Sequence, residues 1–188
     1  MGVLVSFNSQ ATETTVLKSE LYVLKPDAGK VTFLATGHPS ALKIHGEGTG
    51  PEGNLRISAN AIFGILKFPV TSLSTGIDMR DHHMKEKYLE TAKFPTAELR
   101  IENLQLPPGS INELKNVSFT GKLNLKGVEK SVTGNFSTSG TSSEPKFEAD
   151  FHATLSDFEI QIPSYMGITV AEDVSVHVSG LAQKRAVQ

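Results

Sequence analysis

The sequence predicts an all-β fold of antiparallel strands. Polar and apolar residues alternate with a period of two through most of the chain, which is typical of strands with one buried face. Turn-rich segments separate these runs and favour hairpins, and among them are GTGPEGN, LPPGS, KGVEK and STSGTSSEP. About eight such strands must cover their apolar faces with each other, either as a sandwich or as a closed barrel, and closure also removes exposed strand edges.

The composition restricts the possible classes of protein. A chain of 188 residues fits one domain, which we place at residues 20–188, after an N-terminal segment 1–19 that we expect to be poorly ordered or the remainder of a signal region. The formal net charge is −2 and the basic residues are scattered, so no nucleic-acid partner is expected. Cysteine is absent, which excludes disulfides and thiolate zinc sites. No apolar run is long enough for a membrane-spanning helix.

The predicted strands follow one another along the chain. The segments that alternate are KVTFLA, NLRISANA, FPVTS, AELRIE, VSFTGKLNL, KFEADFHATL and DVSVHVSG. The apolar face mixes Phe with Ala and Gly, and an eight-stranded barrel has an interior that side chains just fill or that holds one small ligand. Alternation alone leaves open whether the core is filled.

One segment has helical spacing, at about residues 81–93. Its apolar residues are expected to face the barrel: Met84, Tyr88, Leu89 and Ala92. Asp81 is the predicted N-cap, because its carboxylate can accept from the free N–H groups of the first turn. Pro95 is expected to end the helix by favouring an extended conformation at Phe94. A helix of about three turns is long enough to cover one mouth of a small barrel.

The charged residues around this helix raise the question of catalysis or metal binding. His82 and His83 are adjacent and point about 100° apart on a helix, whereas His82 and Glu86 have ligand spacing but are only two groups, so no metal is expected. Asp81 with either histidine is a possible acid–base pair, yet no nucleophile motif accompanies it. Catalysis by a hydrolase or isomerase is therefore the minor hypothesis.

Arg80 and the remaining histidines have structural interpretations. An ion pair of Arg80 with Asp78 or Asp81 is expected to fix the turn into the helix, in preference to direct contact with a charged ligand. The other histidines are expected on the surface: His38, His45, His152 and His177.

The chain resembles the YceI-like proteins from residue 30 to about residue 184. Four passages in the family's order carry the resemblance: GKVTFLATG, SLSTGIDMRDHHMKEKYLETAKFPTAELR, FTGKLNLKGVEKSVTGNF and ADFHATLSDFEI. The second is the most specific, with its Thr-Gly, Arg-Asp and aromatic-Pro pairs. The family often has Arg-Ser-Asp-Phe-Gly where this chain has LSDFE, which leaves the head-group preference open. Asp78 and Met84 replace a common Asn and Leu.

The resemblance implies an extended lipocalin-like barrel that binds a long apolar lipid, such as a polyisoprenoid, an isoprenoid quinone or a fatty-acid-like chain, without turnover and without a cofactor. Arg80, His82 and His83 are candidates for the mouth or head-group site. The candidate lining residues are Phe33, Leu55, Ile57, Phe68, Val70, Leu99, Ile101, Phe119, Leu123, Phe147, Phe151 and Val176. A structural or stress-related interaction domain with a filled core is the alternative. The family also suggests a periplasmic or secreted protein in a bacterium, although a cytoplasmic one is possible, and a homodimer is possible.

Overall fold

The chain folds as a closed antiparallel barrel of eight strands with two additional short strands at its wall. The computed structural model describes residues 19–39, 42–107, 111–165 and 168–186. The strands are β1 (Glu20–His38), β2 (Lys43–Thr49), β3 (Glu52–Ser58), β4 (Ala61–Pro69), β5 (Thr96–Gln105), β6 (Val117–Leu125), β7 (Val128–Gly140), β8 (Pro145–Thr154), β9 (Ser164–Tyr165) and β10 (Ile168–Arg185). The predicted all-β barrel is confirmed.

The barrel closes between its first and last long strands. From β3 to β8 each strand pairs with the next, β8 pairs with β10, and β10 pairs with β1 over nearly the whole of both strands. Strand β1 pairs on its other side with β3 in its first part and with β2 in its second part. The two parts meet near Gly29, where a Cβ atom on Gly50 would lie 2.3 Å from the Gly29 carbonyl carbon, so only glycine fits.

The predicted alternation sets which face is buried. In β8 the residues Phe147, Ala149, Phe151 and Ala153 point inward, and their polar neighbours are exposed or only partly buried. One half of the barrel is filled by large side chains. The ring of Phe119 in this half meets the ring of Phe151, at the border with the open half, edge to face with centroids 6.4 Å apart.

Two predicted strands end earlier than expected. The segment NLRISANA leaves β3 after Ser58, and Ala59 and Asn60 form the turn into β4 with positive φ values of 49° and 61°. Of the segment FPVTS only Phe68 and Pro69 belong to β4, and Val70–Ser72 form a 3₁₀ turn. Pro69 lacks the N–H group that continues a strand ladder, which agrees with the end of the strand at this residue.

The helix differs from its predicted bounds at both ends. It comprises α1 (Asp78–His83) and a π-helical turn (Met84–Tyr88), together called the mouth helix below. Ile77 is its N-cap, so the prediction of Asp81 in that role was wrong. The helix ends well before Pro95, because Glu90 adopts a left-handed backbone conformation with φ of 49°. Ala92 lies beyond the helix and is exposed. Among the described residues, no helix has the length and hydropathy needed to cross a bilayer.

Candidate ligand-binding cavity

A cavity of about 480 Å³ lies between the mouth helix and the open half of the barrel. Its walls come from the second part of β1, from β2, from the ends of β4, β6 and β8, and from the start of β10. The cavity is covered by Met84 and Tyr88 of the mouth helix and by Leu89 directly after it. These three were predicted to face the barrel, and that prediction is confirmed.

Small side chains keep this half of the barrel open. Ala35, Ala97 and Ala153 line the cavity at inward positions. Gly46 of β2 lies opposite Phe33 of β1, and a Cβ atom at Gly46 would lie 2.2 Å from the Phe33 ring. The ring therefore lies against the glycine, and a larger residue at position 46 would displace it.

The cavity opens where its lining residues become exposed. Ile77 and Met79 at the start of the mouth helix are exposed, as are His83 and, across the opening, Ser164 and Ile168 of the β9–β10 hairpin. We call the edge formed by Ile77, Met79 and Ile168 the apolar rim. Inside this rim the lining is almost entirely hydrocarbon.

A hydrogen-bonded turn at residues 74–76 holds the mouth helix in place. Asp81 accepts from Ser74 Oγ at 2.6 Å, from the Thr75 backbone N–H at 2.7 Å and from the Thr75 hydroxyl. Arg80 donates from Nε to Thr75 Oγ1 at 2.8 Å and from Nη2 to the Thr75 carbonyl oxygen at 3.0 Å. Ser74 also exchanges two backbone hydrogen bonds with Glu47, which ties the turn to β2.

This arrangement replaces the predicted ion pair. Among the described ion pairs, none joins Arg80 to Asp78 or Asp81. Arg80 and Asp81 instead meet on a common partner, Thr75, so the turn is fixed as expected but through different bonds.

The electrostatics of Asp81 favour its ionised form. Partial burial alone would raise the pKa of Asp81, but the hydrogen bonds from Ser74 and Thr75 and the attraction of Lys85 outweigh it and lower the pKa. Asp81 is therefore a carboxylate at neutral pH, and it accepts the hydrogen bonds that anchor the helix.

The far end of the mouth helix is held by a second set of contacts. Glu90 forms ion pairs with Lys93 and Lys126, each at 2.9 Å, and these hydrogen bonds lower the pKa of Glu90. Lys126 also donates to the carbonyl oxygen of Glu159 at 3.1 Å. One lysine of the β6–β7 turn thus links the end of the mouth helix to the loop after β8.

The predicted lining residues divide into two groups. Six of them line the cavity: Phe33, Phe68, Val70, Leu123, Phe151 and Val176. The other six pack in the filled half of the barrel: Leu55, Ile57, Leu99, Ile101, Phe119 and Phe147. All twelve belong to the apolar interior, but alternation gives the face of a strand and not the height of a residue along the barrel.

The predicted mouth residues also divide. Arg80 and His83 line the cavity, whereas His82 is exposed and its Nε2 lies 3.1 Å from Glu86 Oε2. Several of the lining residues that sequence reasoning missed lie at the rim and the hairpins: Leu42, Ile44, Ile77, Met79, Ile168 and Val170. Their common signal is an apolar residue beside a turn, which alternation over short windows does not identify.

The described residues give little support to the hypotheses of catalysis and metal binding. No group of three or more His, Asp or Glu side chains that could hold a metal is present among the residues that the structure describes. The oxygens of Asp81 accept from Ser74 and Thr75, which leaves this carboxylate engaged with the turn. The structural role of Asp81 explains its position without an acid–base partner.

The outer wall carries two histidine–carboxylate pairs between β8 and β10. His152 Nδ1 lies 2.7 Å from Asp173 Oδ2, and His177 Nδ1 lies 2.7 Å from Asp150 Oδ1. The expected surface positions are confirmed, with His177 only partly exposed. Exposed pairs of this kind contribute roughly 0–1 kcal/mol.

The closed barrel, the apolar cavity and the helix across its mouth define a lipocalin-like class of barrel with an internal apolar cavity. Residues 22–182 match the family model described as YceI-like domain, and the chain belongs to this family. No match was found among curated proteins.

Solved structures share the fold at low sequence identity. A polyisoprenoid binding domain from Saccharophagus degradans, described as implicated in plant cell wall breakdown, has a TM-score of 0.65 and 14% identity, covering 87% of this chain and 98% of that one. BcnA of Burkholderia cenocepacia has a TM-score of 0.67 and 17% identity, covering 85% and 98%. A YCEI protein of Campylobacter jejuni has a TM-score of 0.52 and 12% identity, covering 98% and 94%.

Proposed function

We propose that the protein binds one long apolar lipid in the cavity beneath the mouth helix and sequesters or carries it. The ligand classes that fit are a polyisoprenoid, an isoprenoid quinone and a fatty-acid-like chain. The observation that carries this proposal is the cavity itself, which is about 480 Å³ in volume and lined almost entirely by hydrocarbon. Sites for one small ligand commonly have volumes of about 300–1,000 Å³.

The energetics favour a lipid tail over a polar ligand. Burial of each methylene contributes about 0.8 kcal/mol, so a tail with about ten buried methylenes gains about 8 kcal/mol before association costs. A polar ligand would lose its hydrogen bonds to water, because the cavity offers few polar partners. Three of the polar residues that line it, Thr75, Arg80 and His83, lie at the mouth helix or next to it and suit a head group.

The comparisons support this proposal at the level of the family. The Saccharophagus degradans domain, which shares the fold, is described as polyisoprenoid binding. Two further proposals rest on the family alone: that the protein acts by binding without turnover, and that it works outside the bacterial cytoplasm.

Native mass spectrometry tests the proposal. Protein purified from cells is expected to carry an extractable apolar lipid, and delipidated protein is expected to take up one equivalent of an added polyprenyl alcohol or long-chain fatty acid. An apo mass before and after addition of both lipids would contradict the proposal.

A matched pair of variants locates the binding. Ala153 lines the cavity, whereas Ala149, on the same face of β8, packs in the filled half. Ala153→Leu is expected to abolish uptake by filling the cavity. Loss of uptake in a folded Ala149→Leu variant, with normal uptake in Ala153→Leu, would place the site elsewhere.

A further inference from the structure

The apolar rim is exposed to solvent although it is made of large hydrophobic side chains. The exposed fractions are 53% for Ile77, 65% for Met79 and 37% for Ile168. All three also line the cavity, so apolar side chains of the cavity lining reach the outer surface of the protein here. Exposed apolar surface that is continuous with a binding site indicates an interaction surface.

Local structure does not explain these side chains. Ile77 is the N-cap of the mouth helix, a position where Ser, Thr, Asp and Asn are preferred, and its side chain forms no cap hydrogen bond. Met79, in the first turn, is the most exposed large hydrophobic side chain among the described residues. A polar residue at either position would suit the helix at least as well, which points to a partner outside the chain.

The charges of the mouth helix restrict the kind of partner. Residues 78–88 carry three acidic and three basic side chains, which are Asp78, Asp81 and Glu86 against Arg80, Lys85 and Lys87. A surface with no net charge next to an apolar rim matches an uncharged or zwitterionic partner. It lacks the excess of lysine and arginine that attracts anionic lipid surfaces.

We propose that the apolar rim docks on the surface of a zwitterionic lipid bilayer, with Ile77 and Met79 inserted among the lipids. Lipid then passes between membrane and cavity without crossing water. This inference rests on the proposed function, because it assigns the route by which the ligand of that same cavity enters. Transfer through water would expose the whole tail, at a cost of about 25 cal/mol for each Å², whereas a docked rim keeps the tail in contact with hydrocarbon throughout.

Flotation with phosphatidylcholine vesicles tests this inference with the protein alone. Apo protein is expected to float with the vesicles. Ile77→Ser introduces a residue that suits an N-cap, and Met79→Gln introduces one that suits a helix. Each removes apolar surface and is expected to weaken the partition of the protein onto vesicles by about tenfold or more. Thermal unfolding of each variant checks that the fold is retained.

Ile65 provides the matched control. It is an isoleucine on the outer face of β4 with 41% exposure, and it does not line the cavity. Ile65→Ser is expected to float as the unchanged protein does. Equal flotation of Ile65→Ser, Ile77→Ser and Met79→Gln would overturn the inference, and so would absence of flotation of the unchanged protein.

Two further outcomes are decisive. Flotation that requires anionic lipid and disappears at high salt would show charge-driven binding, contrary to the neutral helix. Self-association that depends on Ile77 and Met79, without vesicle binding, would assign the rim to a second copy of the chain. Because flotation reports docking and not uptake, its failure is distinguishable from failure of lipid binding in native mass spectrometry.

Discussion

Single residues decide which half of the barrel is open. Both Ala149 and Ala153 point inward from β8, yet only Ala153 borders the cavity. The sequence predicted that both are buried, because alternation is strict in this strand. It did not predict that Ala149 and Ala153 have different surroundings, because these depend on which large side chains of other strands lie at the same level along the barrel.

This difference predicts that the same substitution destabilises the fold to different extents at the two positions. Ala149→Leu has no free volume to occupy and is expected to destabilise the fold by about 1–3 kcal/mol, the usual cost of overpacking. Ala153→Leu is expected to extend into the cavity with a smaller loss of stability. Urea unfolding measures both, and equal destabilisation would contradict the assignment of open and filled halves.

The Asp81 carboxylate predicts a specific dependence on pH. Its pKa is lowered by hydrogen bonds from Ser74 and Thr75, so its stabilising contribution is fully present above the unfolded-state pKa, about 3.9, and is lost as the pH falls through the lower folded-state pKa. Asp81→Asn is expected to cost about 1 kcal/mol at neutral pH, discounted for partial exposure, and to flatten this acid dependence. The free energy of unfolding of both proteins, measured between about pH 2 and pH 7, tests this effect. If Asp81→Asn lost as much stability at low pH as the unchanged protein, the prediction would be contradicted.

At the scale of elements, the long strands were the least predictable. The segment KPDAG contains Pro26 and Gly29 and resembles a turn, yet β1 continues through it. Strand β10 pairs with β1 on both sides of this segment, with a register shift between Leu24 and Gly29 that absorbs the irregularity. Such pairing depends on a strand about 150 residues further along the chain, which no local pattern contains.

The mouth helix shows the same limit. Its existence and the barrel-facing side chains Met84, Tyr88 and Leu89 were predictable from spacing, whereas its ends were not. The start depends on the turn at Ser74 and Thr75 that binds Asp81, and the end depends on the left-handed conformation of Glu90. Both are tertiary features, since β2 holds the turn and Lys126 holds Glu90.

The packing between β1 and β2 predicts a coupled pair of substitutions. Gly46→Ala places a methyl group where the Phe33 ring now lies, so the ring is expected to move into the cavity and weaken lipid binding by about tenfold. Phe33→Leu in the same protein should restore part of the affinity by shortening the displaced side chain. A double-mutant cycle on lipid affinity measures the coupling, and additive effects would exclude it.

At the scale of the whole molecule, the alternation, the turn signals and the family resemblance were sufficient for the barrel class. They left open whether the barrel is filled, and the structure shows one filled half and one open half. The division depends on where Phe and Ala fall around the barrel, which requires the register of every strand pair. A period of two gives the inward face of each strand, but it does not say which residues of two neighbouring strands lie opposite each other.

Binding in the open half predicts a global effect on stability. A lipid at about 100 times its Kd is expected to stabilise the fold by about 2.7 kcal/mol and to raise the Tm by about 5–10 °C. Ala153→Leu should show no such rise, because its cavity is blocked. Calorimetry with and without lipid measures the shift, and an equal rise in both proteins would point to binding outside the cavity.

The most direct test of lipid binding in the open half is methyl NMR during titration with a long-chain lipid. Methyl groups of Val70, Leu123 and Val176 line the cavity, whereas those of Leu99 and Leu104 lie in the filled half. Saturable shifts of the first set are expected at one equivalent of lipid, with much smaller shifts of the second. Absence of shifts in the cavity methyls at saturating lipid, or equal shifts in both sets, would contradict it.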